Sequence, residues 1–280
     1  MIKKFTGFIL LLHITLSAGA QVEVMSYNIK YANENDGENS WSQRKEHITD
    51  QLKFYEPDIL GLQEAVLEQL LHLEEHLPQY KYVGVAREDG NQKGEFTAIF
   101  YDTIKFIKEE SHTFWLSETP GNVSIGWDAA LPRICTWVRF KDRKTGQRFI
   151  LFNSHFDHMG KKARVESAKL ILKKIKEVNH EDLPVILMGD FNLEPDEEGI
   201  KLLAGQMNDS KIASRKVSFG PEGTFNGYNF HEPATRRIDY IFTSLDNIEV
   251  LKYGVLTDSN DLKYPSDHFP VLVQLNFLTK

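Results

Sequence analysis

Apolar runs bounded by turn-forming residues recur along the chain, and nine of them have the length and composition of β-strands. Three longer segments carry apolar residues at helical spacing instead. In the third, Val165, Ala168 and Leu172 are separated by charged residues, as on an amphipathic surface helix. The pattern predicts an α/β protein with strands at 22–27, 58–62, 80–85, 96–101, 134–140, 148–153, 185–188, 238–242 and 271–275, and helices at 44–55, 66–77 and 163–178.

Two segments of the chain repeat the same order of elements. In each, a strand, a helix and a second strand follow one another, and both strands end in polar residues. The first unit ends its strands with Asn28 and Glu64, and the second with His155 and Asp190. Since open α/β sheets place their sites beyond the carboxyl ends of their strands, two such units packed face to face would bring these four residues to one rim.

The first twenty residues have the pattern of an export signal. Lys3 and Lys4 precede an apolar stretch at 5–16, and Ala18-Gly19-Ala20 fits a small-x-small cleavage site. The apolar stretch is shorter than the roughly 20 residues of a membrane-spanning helix. We therefore expect a signal peptide at 1–20, cleaved after Ala20, a periplasmic or extracellular protein without a transmembrane anchor, and one domain at 21–280.

Composition narrows the function classes. The single cysteine, Cys135, allows neither an intramolecular disulfide nor a cysteine-based zinc site, and its neighbours predict a buried position. The chain has 33 basic and 40 acidic residues, a net charge of −7. Removal of Lys3 and Lys4 with the signal peptide leaves 31 basic residues, which brings the net charge to −9. General affinity for nucleic acid or anionic membranes is therefore not expected.

Polar residues capable of chemistry follow most of the predicted strands. A single aspartate in such a place is usually a turn or helix cap, but so many together favour a site. Carboxylate and amide oxygens suit Mg²⁺, which completes its coordination with water and phosphate oxygens, and histidines without cysteine partners suit acid–base chemistry. The residues are Asn28, Glu64, His155, Asp157, Asp190, Asn192, Asp239, Asp267 and His268.

Six short motifs contain these residues: SYN at 26–28, LQE at 62–64, NSHFD at 153–157, GDFN at 189–192, RIDYI at 237–241 and SDH at 266–268. In their order and approximate spacing they resemble the endonuclease/exonuclease/phosphatase superfamily. The resemblance implies a four-layer α/β sandwich, in which two mixed β-sheets pack face to face with helices outside.

The resemblance also implies a metal site and a histidine–aspartate pair. Glu64 would be the principal ligand of Mg²⁺, for which Mn²⁺ is a substitute, and Asn28 and Asp267 would contribute directly or through water. His268, oriented by Asp239, would contact the phosphate or activate the attacking water. Whether one or two metal ions bind is left open.

Three further roles follow from the same resemblance. Asp190 would hold or deprotonate the water, and Asn192 would stabilise the pentavalent phosphorus. His155 would act as an acid or hold the phosphate, as in the deoxyribonuclease I and sphingomyelinase branches. The identity of the general base, Asp190 or His268, stays open because coupled groups share protons according to geometry.

Two polar residues outside the motifs are candidate substrate contacts. Arg133 opens a predicted strand, where it would bind a phosphate or pair with a surface carboxylate. Asn226 would contact substrate or form a turn. The loop at 116–132 either covers the substrate or closes the edge of the core.

The sequence thus predicts a monomeric, exported, Mg²⁺-dependent phosphoesterase that hydrolyses a phosphodiester or a phosphomonoester. A nuclease acting on DNA or RNA is the first alternative, which the negative charge disfavours without excluding it. A phosphate-binding module that has lost its chemistry is the second.

Overall fold

The structure is a computed structural model that describes residues 21–278, so the predicted signal peptide lies outside the described residues. Its strands are β1 (Gln21–Asn28), β2 (Ile59–Gln63), β3 (Tyr80–Val83), β4 (Ile99–Asp102), β5 (Phe106–Trp115), β6 (Ile134–Asp142), β7 (Arg148–His155), β8 (Val185–Asp190), β9 (Asn208–Asp209), β10 (Asp239–Thr243), β11 (Ile248–Val255) and β12 (Val271–Phe277). Its helices are α1 (Trp41–Tyr55), α2 (Leu67–His76), α3 (Lys161–Val178), α4 (Glu198–Ala204) and α5 (Ser210–Ala213), with a 3₁₀ helix at Glu34–Asn39.

The strands form two six-stranded sheets with the same plan. The first has the order β11-β12-β1-β2-β4-β3 and the second the order β5-β6-β7-β8-β10-β9. In each sheet the third and fourth strands are parallel, joined by a helix, and the other neighbouring strands are antiparallel. This plan confirms the internal repeat and the predicted pair of mixed sheets.

A buried, largely apolar layer joins the two sheets. Val24 and Ile59 of the first sheet share a buried cluster with Ile186 and Met188 of the second. The sheets approach closely at Gly61, where an added Cβ would lie 2.2 Å from Cε of Met188. Burying each large aliphatic side chain contributes about 1.5–3 kcal/mol, so this layer is a main source of stability.

Helices cover the outer face of each sheet. Ile48 and Leu52 of α1 pack with Leu70 and Leu73 of α2 on the first sheet. The predicted amphipathic face of α3 packs on the second, with Ala168 among its buried residues. These two helical layers complete the predicted four-layer α/β sandwich.

The sequence pattern missed strands at the edges of the sheets. β5 carries Lys108, Glu109 and Glu110, all exposed, so its charged middle hides the alternation of a strand. β11 contains a register shift between Val250 and Lys252, which disturbs its period of two. β9 has only two residues, and α4 and α5 are also short. Cys135, as predicted, is fully buried.

Candidate active site

The register of the second sheet brings three of the predicted residues side by side. β7, β8 and β10 are neighbours, and His155 pairs with Asp190 while Asp190 pairs with Asp239. All three are buried. Because they end or begin strands at the same level, their side chains meet at one edge of the sheet.

The first sheet contributes the other residues to the same edge. Asn28 ends β1, and Glu64 follows β2 with a φ of +61°, in the left-handed region that non-glycine residues rarely adopt. Asp267 and His268 lie just before β12. The hydroxyl of Ser266 donates to the carbonyl of Asn28 (2.7 Å), which fixes that segment against the end of β1.

These strand ends surround a cavity of about 430 Å³. Seven of the eleven candidate residues line it, whereas Asn28, Asp157, Asp239 and Asn226 are buried and do not line it. The lining residues are Lys30, Tyr31, Glu64, Glu95, Leu131, Arg133, His155, His158, Asp190, Asn192, Phe225, Arg236, Ile238, Asp267 and His268.

His268 is held as a cation by the carboxylates around it. Its Nδ1 donates to Oδ2 of Asp239 (2.9 Å), and its Nε2 lies 3.8 Å from Oδ2 of Asp190. Burial lowers the pKa of His268, but the charges of Asp239 and Asp190 outweigh burial and raise the pKa to about 10. An imidazolium at neutral pH can donate to a phosphate oxygen, but it has no free lone pair to accept a proton.

The environment of Asp190 disfavours its charged form, whereas that of His268 favours the charged form. Burial, together with the negative charge of Asp239, raises its pKa to about 7. Its Oδ1 accepts from the backbone N–H of Asn192 (2.9 Å) and its Oδ2 from Nδ2 of Asn28 (3.0 Å), so its position is fixed. A buried carboxylate with a pKa near neutrality suits a general base.

His155 differs from His268 because burial and nearby cations outweigh the carboxylates of Asp190 and Glu95, which lie 3.5 and 3.8 Å from its ring nitrogens. Burial and the charges of Arg133 and Arg87 lower the pKa of His155 well below the ordinary value, so the imidazole is neutral. Nδ2 of Asn192 lies 3.2 Å from its Nε2, and Nη1 of Arg133 lies 3.1 Å from its Nδ1. His155 and Asn192 thus form a neutral polar part of the cavity.

Arg133 is a cavity residue rather than a member of a surface ion pair. Its side chain is 5% exposed. Nε lies 3.4 Å from Oδ1 of Asp157, and Nη2 lies 3.0 Å from Nδ1 of His158. Asp157 also accepts from the backbone N–H groups of Met159 and Gly160, so it anchors the arginine to the loop after β7.

The oxygen donors fit a hard divalent cation. Burial and the negative charge of Glu64 raise the pKa of Asp267, and both carboxylates line the same cavity, so their charges repel each other there. Burial also raises the pKa of Glu64, but Lys30 and the amide of Asn28 outweigh it, so this carboxylate stays ionised. A cation between Glu64 and Asp267 would relieve the repulsion, and carboxylate oxygens are ligands that Mg²⁺ prefers.

Asn28 presents its nitrogen to this region. Nδ2 donates to Oε1 of Glu64 and Oδ2 of Asp190, both at 3.0 Å, and Oδ1 accepts from the backbone N–H of Lys30. In this arrangement Asn28 links the two carboxylates, and its predicted role as a metal ligand stays a prediction. A second group of ligand atoms, one each from Asp190, Asp239 and His268, lies within 4.8 Å of one another, and within this group Asp239 and His268 are already joined by a hydrogen bond.

Asn226 is bound to backbone rather than open to the cavity. Its Nδ2 donates to the carbonyl of Ser266 (3.1 Å), its Oδ1 accepts from the N–H of Tyr228, and its own N–H donates to the carbonyl of Asp267. Asn226 therefore supports the segment that carries Asp267 and His268, which is the turn-forming alternative to a substrate contact.

Sequence reasoning missed six polar or aromatic residues of the cavity. Most lie close to a motif: Lys30 and Tyr31 follow Asn28, His158 follows His155, and Arg236 precedes Asp239. Proximity to a motif residue was the available signal. Glu95 and Phe225 enter from loops, where no pattern of the chain predicts the direction of a side chain. Arg87 pairs with Glu95 (2.7 Å) at the same wall.

The model of the Endonuclease/Exonuclease/phosphatase family matches residues 25–268. The chain therefore belongs to this family. Its members are hydrolases of phosphate esters that depend on a metal, and the described fold and cavity agree with that class.

Two solved structures from Bacteroides thetaiotaomicron are similar over nearly the whole chain. One is a member of the same family, at 44% identity and a TM-score of 0.89, covering 93% of this chain and 99% of the other. The second is a mannosyl-6-phosphatase, at 45% identity and a TM-score of 0.87, covering 91% of this chain and 100% of the other.

Curated relatives are more distant and longer. Tyrosyl-DNA phosphodiesterase 2 of Rattus norvegicus is 26% identical over 241 residues, which cover 80% of this chain and 60% of the relative. The chain spans 60% of the length of this relative and between 35% and 60% of the other curated relatives given by the comparison. Within residues 21–278, no helix has both the length and the apolar character needed to cross a membrane.

Proposed function

We propose that the chain is an exported, Mg²⁺-dependent phosphoesterase that removes phosphate from small sugar phosphates. The observation that carries the proposal is the cavity of about 430 Å³, in which the positively charged side chains of Arg133 and His268 lie beside the carboxylates of Glu64 and Asp267. That volume lies at the small end of the range of about 300–1,000 Å³ for small-molecule sites. The 45% identity to a mannosyl-6-phosphatase over its full length supports the same class of substrate.

Different side chains of the cavity carry out different parts of the proposed hydrolysis. Glu64 and Asp267 would hold Mg²⁺, which, when bound, neutralises charge on the phosphate oxygens. Asp190 accepts the proton of the attacking water, because its pKa lies near 7 while His268 is already protonated. His268 donates to a phosphoryl oxygen and offsets the negative charge that develops there. Asp239 fixes the ring of His268 through Nδ1.

The remaining polar groups bind the phosphate. Arg133 is planar, buried and charged, and it presents guanidinium N–H groups at the cavity wall. Asn192 and the neutral His155 add N–H donors beside it. Since His155 is unprotonated at neutral pH, it is better suited to hold the phosphate than to protonate the leaving group.

Hydrolysis of a nucleic-acid phosphodiester is the second candidate. The observation that favours it is the 26% identity to tyrosyl-DNA phosphodiesterase 2 over 80% of this chain. The net charge of −7 opposes it, since a polyanion has to be bound along an extended surface.

A substrate panel separates these candidates. The purified protein would be tested for phosphate release from mannose 6-phosphate and glucose 6-phosphate, and for cleavage of a bis-aryl phosphate diester, single-stranded DNA and RNA, each with Mg²⁺ and with EDTA. We expect sugar phosphates to have the highest kcat/KM and EDTA to abolish turnover. Glu64→Gln is the matched control for contaminating hydrolases.

Other results would overturn the proposal. A higher kcat/KM on DNA or RNA would favour the second candidate. Binding of sugar phosphate without any turnover would favour a silent binding module. For export, we expect the secreted product to begin at Gln21 when its N-terminus is sequenced, and a product that keeps residues 1–20 would contradict the predicted cleavage.

A further inference from the structure

We propose that Glu46, His72 and His76 form a second metal site, for Zn²⁺ or a similar borderline divalent cation, that ties α1 to α2. One ring nitrogen of each histidine and one carboxylate oxygen of Glu46 lie within 4.8 Å of one another. His72 and His76 are four residues apart on α2, so they share one face of the helix, and Glu46 reaches them from α1. None of the three lines the catalytic cavity.

Hydrogen bonds leave one nitrogen of each ring free to bind a metal. Nδ1 of His76 lies 2.8 Å from the carbonyl of His72, which can only accept, so the proton is on Nδ1 and the lone pair on Nε2. The hydroxyl of Thr49 donates to the carbonyl of Lys45 (2.8 Å) and accepts from Nε2 of His72 (3.1 Å), which leaves the lone pair of His72 on Nδ1. Such bonds from the second nitrogen typically orient histidine ligands.

The two rings can give up their present contact for a metal ion. They are stacked, with centroids 4.1 Å apart and planes inclined by 28°. Both rings are only half-buried and Glu46 is exposed, so the side chains have room to turn and converge.

The donor set selects a different cation from the one in the catalytic cavity. Two imidazoles and a carboxylate suit Zn²⁺, which takes three protein ligands and a water in tetrahedral geometry. Mg²⁺ prefers oxygen donors and near-octahedral geometry. Excess Mg²⁺ should therefore not compete with Zn²⁺ for this site.

A link between α1 and α2 would act on the segment that leads out of β1. From α1, the guanidinium of Arg44 donates to the backbone carbonyls of Ile29 and Lys30. From α2, Nε2 of Gln69 donates to the carbonyl of Lys30 (2.9 Å), and its Oε1 accepts from the N–H of Ala32. The proposed site thus stabilises the helix pair that holds Asn28 and Lys30 in place.

Calorimetric titration with Zn²⁺ in excess Mg²⁺ tests the site. The protein would first be freed of metal with EDTA, and Glu64→Gln would be titrated in parallel to remove the catalytic cation site. We expect one Zn²⁺ per chain in both, and at least a tenfold loss of affinity in His76→Ala and in Glu46→Gln. His180→Ala, which removes an exposed histidine of the loop after α3, is the matched control and should bind like the unchanged protein.

Thermal unfolding gives a second readout. A saturating amount of Zn²⁺ should raise the unfolding midpoint by about 5 °C in the unchanged protein and in His180→Ala, but not in His76→Ala. Midpoints without Zn²⁺ show whether each variant is folded, and phosphoester hydrolysis in Mg²⁺ should be the same in Glu46→Gln. Undiminished Zn²⁺ binding in both His76→Ala and Glu46→Gln, or an equal loss in His180→Ala, would overturn the site.

Discussion

Two strand–helix–strand units, β1–α1–β2 and β7–α3–β8, have the same topology but place the polar residues at their strand ends in different electrostatic surroundings. In the first, Lys30 and Asn28 keep Glu64 ionised. In the second, burial raises the pKa of Asp190 to about 7, and burial beside cations keeps His155 neutral. The repeat therefore determines where a polar side chain lies, and its neighbours determine which protonation state it holds.

His155 and His268 show the same contrast, because they have similar positions but different charge states. Both are buried at the same edge of the sandwich. Asp190 lies within 4 Å of both rings, but His268 is bonded to Asp239 and is a cation, whereas His155 is buried beside Arg133 and is neutral. The proposed function uses this difference, with Asp190 as the proton acceptor and the histidines as phosphate-binding groups, and each proposed role can be tested.

We expect the largest loss of activity from substitutions in the Asp239–His268 pair. His268→Ala removes the cation that offsets the phosphate charge, and we expect kcat to fall by about 10²–10³ or more. Asp239→Asn keeps the shape but loses the charge that holds the imidazolium, so kcat should fall by a similar factor while KM changes little. Steady-state kinetics on the best substrate of the panel would measure both. Activity within threefold of the unchanged protein in either variant would refute the assignment of His268.

Glu64→Gln tests the acidic part of the first unit. We expect activity to fall by about 10²-fold, because typical Lewis-acid stabilisation amounts to several kcal/mol. Since the amide is a weaker ligand, the Mg²⁺ concentration that gives half-maximal activity should rise. A Mg²⁺ titration of the rate measures this, and an unchanged Mg²⁺ requirement would place the cation elsewhere.

Arg133→Lys and Arg133→Ala test the cationic surroundings of His155. Hydrogen bonds to charged groups contribute about 1.5–3 kcal/mol, so we expect KM to rise about tenfold or more in Arg133→Lys, which lacks the planar fork. In Arg133→Ala, loss of a positive charge should also raise the pKa of His155. NMR titration of the imidazole would detect this shift, and an unchanged pKa would show that Arg133 does not control the histidine.

In the metal-free protein, His155 and His268 should make the free energy of unfolding depend on pH. The pKa of His268 is about 10 when folded, against about 6.5 when unfolded, so its contribution is full below pH 6.5 and is lost as the pH rises toward 10. His155, with a lowered pKa, stabilises above pH 6.5, and this contribution is lost as the pH falls. In His268→Gln the decline above pH 6.5 should be shallower, by up to about 1.4 kcal/mol per pH unit. Urea unfolding across this pH range measures the slope, with His155→Gln as the comparison variant.

The smallest expected effect is at Asn226. Its side chain donates to the carbonyl of Ser266 and accepts from the N–H of Tyr228, so we expect Asn226→Ala to lower the free energy of unfolding by about 1 kcal/mol. The KM should change less than in the Arg133 variants, because the side chain does not line the cavity. A KM increase larger than that of Arg133→Ala would restore Asn226 as a substrate contact.

The local pattern predicted much of the fold because buried central strands have clear signals. β1, β2, β7 and β8 are apolar runs that end in polar residues, and their repeat predicted the common edge. Edge strands such as β5 face water along much of their length, so their charged residues concealed them. The predicted single domain and signal peptide stay predictions.

The sequence predicted which residues form the candidate site better than it predicted their contacts and backbone conformations. Motif residues such as Asp190 and His268 were recognised from the sequence, and the structure brings them to one cavity. Glu95 was not, since it reaches the cavity from a loop and its role depends on contact with Arg87 and Arg133. The left-handed backbone of Glu64 and Asn192 was also beyond sequence reasoning, because such strained conformations are imposed by packing rather than by local preference.

By itself, the sequence determined the strand–helix–strand repeat, the polar residues at the strand ends and the excess of acidic residues, because these depend on local order and composition. Only the tertiary structure decided which of those residues meet, which nitrogen or oxygen each one presents, and which of them carry a proton. The physical reason is that pKa values and hydrogen-bond partners depend on distances of a few ångströms between residues far apart in the chain, such as Asp190 and His268 at 3.8 Å.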